Sequence, residues 1–461
     1  MDTPTLTVHT STLFDPTSKQ FNKNISIVVN PATGAIEDVI QRESIVAQVK
    51  PGDIDLRRKV AMPGFVDAHT HVFLHAYRSV HIQDPLRQLN EASINQGHSE
   101  RPSAEQMRDE SIVERTVRAV NHMRIALLSG YTTYRDLGTE GLASHDASLR
   151  DTVNRGLTPG PRLFVATSCL ATTGSYEIRT ENHGNGMQPP SICDPCDGVD
   201  GVRRAVRRRV AEGADMIKFY ADYRRNTLRA PSSGDPILFP PMNRNPATVM
   251  FTQDEMNAIV DEARSAGLPV ACHASTARGV TMAAKAGVTT IEHGTEASRE
   301  AIQAMADNKC IYVPTLAVVE ATAKDRVQEV QAIAKTAHDM GVRLAAGGDT
   351  GAFNHGQGAR EMELLMEAGI PVEDVLEACM LGGWESCGRD ACGYRFGWLE
   401  KGNRADIIAL DTDPRVDRSA FRKVNFVMKD AHVWKQNSIP VGSIDRIMEE
   451  SVRADSTWQL V

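Results

Sequence analysis

The sequence predicts an α/β fold: a (β/α)8 barrel of the TIM type with a small β-sandwich domain built from both chain ends. Three features point there. A chain of 461 residues is too long for one small core and suits a barrel plus a minor domain. Apolar strand-like runs alternate with helical stretches through the middle of the chain. That alternation implies parallel strands with crossover helices, in a barrel or a doubly wound sheet. Ligand-type side chains close several of those runs, the end at which barrel enzymes gather their catalytic groups.

The opening segment consists of short runs, Leu6–Val8, Leu13–Phe14, Ile25–Val29 and Ile36–Ile40, broken by Pro and Gly. Period-two alternation with turn punctuation predicts small-sheet strands. Ala405–Leu410, Val424–Met428 and His432–Lys435 repeat the pattern at the far end. Residues 1–58 and 400–461 are therefore expected to pair into one β domain around a barrel of residues 59–399. The predicted middle strands are Val60–Val66, Thr132–Asp136, Leu163–Thr167, Met216–Tyr220, Val270–His273, Thr289–His293, Ile311–Pro314 and Arg343–Asp349. Predicted helices are Gln106–Ser129, Arg203–Ala211, Thr252–Ala266 and Lys324–Met340. Two polar segments, Glu181–Gln188 and Pro231–Asn245, follow predicted strands and read as long active-site loops.

Composition excludes several classes. A hydrophobic content of 41% with 24% charged residues is ordinary for a soluble globular protein. A formal charge of −8 argues against a nucleic-acid partner. No apolar run reaches the ~18 residues of a membrane span. The polar N-terminal stretch MDTPTLTVHTSTLFDP lacks the basic and apolar regions of a secretory leader. Eight scattered cysteines do not make a disulfide framework at this length. A reducing, cytoplasmic setting is expected. Cys193-Asp-Pro-Cys196 has the spacing of half a zinc site, but no matching second pair lies nearby, so ordinary thiols are expected.

The strongest chemical signal is Met62-Pro-Gly-Phe-Val-Asp-Ala-His69-Thr-His71. Residues two apart in a strand point to the same side, so His69 and His71 present two imidazoles to one ion. Lys218, His273, His293 and Asp349 each close a later predicted strand. Singly, each has an ordinary structural explanation, such as a capping group or a snorkelling lysine. Together they place ligand-type groups at the C-terminal ends of successive strands.

On these residues, and on Gly130-Tyr-Thr-Thr-Tyr-Arg-Asp136, Glu292-His-Gly and Gly402-Asn-Arg-Ala-Asp-Ile-Ile-Ala-Leu410, nearly the whole chain resembles the amidohydrolase superfamily. It looks most like the imidazolonepropionase-related branch, which includes dipeptidases for Xaa-Pro and Xaa-Arg/Lys, and ochratoxinase. The resemblance implies two divalent ions of the zinc type, one held by His69, His71 and Asp349 and the other by His273 and His293. Lys218, carbamylated by CO2, would bridge them, because a free ammonium has only donors and cannot bind a cation. A hydroxide between the ions would attack the scissile carbonyl, with Asp349 carrying its proton to the leaving nitrogen. The expected substrates are small molecules, dipeptides or N-acyl amino acids, ochratoxin-like amides among them; the branch often forms homo-oligomers.

Within that picture Tyr220 is a candidate hydrogen-bond donor to the oxyanion, and Arg224 and Arg225 are candidates to clamp a substrate carboxylate. His183 is a candidate to orient the substrate carbonyl, and His355 to fix the leaving group. Three alternatives stand beside it. Cyclic amides, lactones or imidazolones would suit the same metal chemistry. A mononuclear deaminase is disfavoured, because Ala274-Ser275-Thr276 follows His273 without a glutamate and Lys218 is present. A non-catalytic scaffold is disfavoured because every ligand candidate is retained.

Overall fold

The computed structural model describes residues 5–45, 48–76, 103–176, 190–224 and 246–441. It has mixed α/β content, and the strands that matter for function are β1 (Phe65–Thr70), β2 (Tyr131–Asp136), β3 (Arg162–Val165), β4 (Ile217–Tyr220), β5 (Val270–Thr276), β6 (Thr290–Glu296), β7 (Ile311–Val313) and β8 (Arg343–Leu344). Pairing is parallel from β1 to β3 and from β4 to β8. The predicted third strand ends two residues early, since Thr167 has φ 61° and leaves the extended region. Cys169–Ala171 then resumes the strand and sets Leu170 opposite Phe219 of β4, while the Asp215 N–H donates to the Val165 carbonyl at 2.8 Å.

The predicted last strand is also shorter than expected. Beyond Leu344 the chain remains bonded to β1: the Ala68 N–H donates to Ala346 O at 2.9 Å, the His71 N–H to Thr350 O at 2.7 Å, and the Thr350 N–H to His69 O at 3.1 Å. Helices run between the strands. The predicted helix Gln106–Ser129 is two, Ser103–Asp109 and Ile112–Leu128. Ser111 splits them by capping the second, accepting from the Glu114 N–H at 3.2 Å. Thr252 and Glu255 form a reciprocal capping box at the start of Gln253–Ser265.

A nine-stranded sheet draws strands from both ends of the chain. Ile54–Pro63 lies parallel to Leu6–Asp15 and antiparallel to Ile407–Leu410, which pairs in turn with Val424–Lys429. Alternation gives each face its own core. Ile407 and Ala409 join Val8, Ile27 and Phe426 on one side, whereas Ile408 and Leu410 join Phe14, Met62 and Phe65 on the other. The predicted strand Val60–Val66 is divided at Gly64, where the chain leaves this sheet for β1. A Cβ there would lie 2.1 Å from the Thr132 hydroxyl, so only glycine fits the crossing. Among the described residues no helix is long and apolar enough to cross a membrane.

One buried ion network ties the two regions. Arg162, at the start of β3, donates to Asp406 at 2.8 Å and to Asp430 at 2.5 Å, with the Arg162 and Asp406 side chains almost fully buried. Arg162→Ala would leave both carboxylates without that partner. It is expected to lower the unfolding free energy by about 3–5 kcal/mol, read from urea denaturation. A loss below about 1 kcal/mol, the worth of a surface pair, would show that the network does not join the two regions.

Candidate metal centre

His69 in β1 and His71 just beyond its end lie close together. The His69 and His71 rings are 5.5 Å apart by centroid, His69 is 5.0 Å from His293, and His293 is 4.6 Å from His273 on β5. Asp349 completes the group, its Oδ1 3.3 Å from His71 Nε2 and 3.6 Å from His69 Nε2. One ligand atom each from His69, His293 and Asp349 lies within 4.8 Å of the others. Lys218 on β4 is buried, and among the described residues its Nζ has no hydrogen-bond partner. Its charge bears on His69, His273 and His293 alike.

The backbone is bent to make this arrangement. His293 and Asp349 have φ of 72° and 64°, in the left-handed region that non-glycine residues avoid. Asp67 binds β1 to the Asp349 segment by accepting from the His69 N–H at 3.2 Å and the Thr350 hydroxyl at 2.7 Å. Gly347 permits the approach, since a Cβ there would lie 2.5 Å from the His69 nitrogen.

Each of three imidazoles is held by its Nδ1. His69 donates to Glu292 Oε2 at 2.9 Å, and His71 to the Gly138 carbonyl at 2.9 Å. His293 Nδ1 is 2.9 Å from the Thr315 hydroxyl. A carboxylate and a carbonyl only accept, so both rings keep a proton on Nδ1; Nε2 of His69 is left as a lone pair facing Asp349, whereas Nε2 of His71 donates to Asp349 and gives up that proton when a cation binds. Burial, with neighbouring positive charge, lowers His69 to about 4 and His293 to about 3, and holds His273 well below the usual range. His71 goes the other way. Burial disfavours its charge, but the hydrogen bond and field of Asp349 outweigh this and raise it to about 9. Burial alone would push the Asp349 carboxyl up, yet His69, His71 and His293 hold it below the carboxylate range.

Lone pairs facing an anionic oxygen call for a cation between them. Neutral imidazoles and a carboxylate are the donor state that a divalent ion binds. The nitrogen and oxygen donors, with the partnerless Lys218 amine, therefore fit a zinc-type centre.

The remaining sequence candidates are placed unevenly. Tyr220 packs its ring 4.8 Å from His273 and 4.6 Å from Tyr176. Arg224 is exposed, its guanidinium 5.8 Å from the Tyr223 ring centre. His183, Arg225 and the segments Glu181–Gln188 and Pro231–Asn245 lie outside the described residues. His355 is not brought into the ligand cluster. Its Nε2 bonds the Leu74 carbonyl at 3.1 Å and its ring stacks on His122 at 4.0 Å. Cys193 and Cys196 are buried, and the Cys193 thiol donates to the Tyr176 carbonyl. Sequence reasoning assigned no role to Glu292, Arg135, Thr315 or Asp67. The available signal was opposite charge inside two apolar strands, Arg135 in β2 and Glu292 in β6, because charges buried in strands are usually paired.

The sequence profile of the amidohydrolase family matches residues 60–437. The chain is 30% identical over 345 residues to ochratoxinase of Aspergillus niger, a match covering 67% of this chain and 65% of that protein. The chain thus spans just under two thirds of that relative's length. It is 24% identical over 411 residues to imidazolonepropionase of Clostridium tetani, across 84% of each. A crystal structure of an Xaa-Pro dipeptidase with bound methionine in its active site is similar at a TM-score of 0.73 and 28% identity, over 94% of this chain and 100% of that one.

Gly347→Ala tests the close approach on which the cluster depends. Its methyl group must push against the β1 backbone, so a loss of about 1–3 kcal/mol is expected, together with weaker metal uptake. Wild-type stability and uptake would show that the two segments part freely.

Proposed function

The chain belongs to the amidohydrolase family, and on that premise we propose that it is a metal-dependent hydrolase of amide bonds acting on dipeptides or N-acyl amino acids. In this reading the parallel strands close into a (β/α)8 barrel of residues 59–399, with residues 1–58 and 400–461 forming the β-sandwich domain. The hydrogen bonds from β1 to the segment beyond β8 support that closure.

The observation that carries the functional reading is the buried donor set. A lysine amine buried among histidines without a partner is costly as an ammonium. Attack of its nitrogen on the carbon of CO2, with loss of a proton to solvent, makes a carbamate anion. That anion would serve as the bridging ligand between one ion on His69, His71 and Asp349 and another on His273 and His293. Two bound divalent ions, of the zinc type, would supply Lewis-acid polarisation of the carbonyl and a lowered pKa for the attacking water.

The chain's own groups do the rest. Asp349 accepts the proton of the attacking water at a carboxylate oxygen and returns it to the leaving nitrogen. Tyr220, packed on His273, donates its hydroxyl to the oxyanion. Arg224 or Arg225 binds the free carboxylate that a dipeptide or N-acyl amino acid carries next to its amide, and His183 orients the substrate carbonyl.

A hydrolysis screen over dipeptides and N-acyl amino acids, with elemental analysis of the same sample, tests the proposal; turnover with close to two ions per chain is expected. Lys218→Ala should lose metal and activity together. A fully active Lys218→Ala enzyme would make the lysine structural. Asp349→Asn keeps the shape and one acceptor oxygen but cannot carry the proton. It should retain part of the metal while kcat falls by ~10²–10⁴, and near-normal kcat with full metal would remove Asp349 from proton transfer.

A further inference from the structure

We propose that Glu292 and Arg135 form a buried strut that sets the tautomer and position of His69, making both of them positioning residues of the centre. The inference rests on the reading of the cluster as a metal centre. Both side chains are fully buried and their charged atoms are 3.1 Å apart. Neither oxygen of Glu292 is idle. Oε2 accepts from His69 Nδ1 at 2.9 Å, while Oε1 accepts from Arg135 Nη1 and from the Thr290 hydroxyl.

Arg135 is shared in the same way. Its Nη1 also donates to the carbonyl of Ala68 at 3.0 Å, and its Nη2 donates to the Thr290 hydroxyl at 2.7 Å. One guanidinium on β2 therefore holds both the backbone just before His69 on β1 and the carboxylate on β6 that holds the His69 ring. Thr290 accepts from the arginine and donates its single hydroxyl hydrogen to Glu292 Oε1, which relays the arginine to the glutamate a second time.

Stability does not explain this pair, because apolar residues of similar volume often serve a buried site as well as an ion pair does. Tautomer control does explain it. An ionised carboxylate only accepts, so His69 must place its proton on Nδ1 and keep the Nε2 lone pair directed toward Asp349, 3.6 Å away. A glutamine at 292 keeps its oxygen toward Arg135 and Thr290, which both donate, and turns its NH2 toward His69 Nδ1, which moves the ring proton to Nε2.

The test uses the full-length, metal-free chain with 15N-labelled histidine, its His69 signals assigned through His69→Gln. Imidazole nitrogen shifts and calorimetric zinc titrations are recorded for wild type, Glu292→Gln and Thr290→Val, with circular dichroism to confirm folding. Wild-type His69 should show a protonated Nδ1 and a bare Nε2. Glu292→Gln should shift the His69 proton toward Nε2 and give a zinc Kd about 10–100-fold higher, and Thr290→Val a smaller change of the same sign. Folded Glu292→Gln with the wild-type tautomer and a zinc Kd within about twofold, well short of the usual outer-partner effect, would overturn the proposal. Should Glu292→Gln fail to fold, Thr290→Val decides it: unchanged His69 shifts and zinc Kd overturn the strut, and a shift in both supports it. Should the wild-type chain take up no zinc, the metal reading fails, and the His69 shifts alone then decide whether Glu292 sets the tautomer.

Discussion

The carboxylate of Asp349 stands 3.3 Å from His71 and 3.6 Å from His69, and this contact joins the first parallel strand to the segment beyond the last. Much else follows from holding it. Asp67 reaches Thr350 across 283 positions of sequence, Gly347 passes against the His69 backbone, and Asp349 accepts a left-handed φ of 64°. Backbone strain of this kind costs of order 1–3 kcal/mol per residue and persists only where the surroundings over-determine it. Here the surroundings are backbone hydrogen bonds on both sides of the meeting point.

Electrostatics makes the same demand from the other direction. Burial leaves His69, His273 and His293 neutral, while the carboxylate they surround stays charged. Such an interior is satisfied by cations rather than by more hydrogen bonds. The outer partners suit this, since Gly138 O and Glu292 take the Nδ1 protons of His71 and His69 and turn both Nε2 atoms toward Asp349. Arg135 neutralises Glu292 at 3.1 Å, so the outer carboxylate orients a ring without competing for the positive charge at the centre.

The two-ended sheet was legible because period-two alternation survives in a sheet with a core on each face, as Ile407 to Leu410 show. The ligand positions were legible because strand ends can be located from apolar runs, and His69, Lys218, His273 and His293 close such runs. What was not legible depends on close approach or on register. Val60–Val66 reads as one strand unless the Thr132 side chain across Gly64 is known. Arg343–Asp349 reads as a strand although two glycines and a left-handed aspartate end it early. Glu292 and Arg135 are 157 positions apart, and no local pattern pairs them. His355 lies near Asp349 in sequence, and no local pattern shows its stacking on His122.

We propose that these side chains would hold two ions with Lys218 between them. The most direct measurement is a crystal structure of the zinc-loaded protein with data collected on both sides of the zinc absorption edge. The account predicts two anomalous peaks ~3.5–4 Å apart, one on His69, His71 and Asp349 and one on His273 and His293, with extra density continuous with Lys218 Nζ between them. A single peak beside an unmodified Lys218 would contradict it.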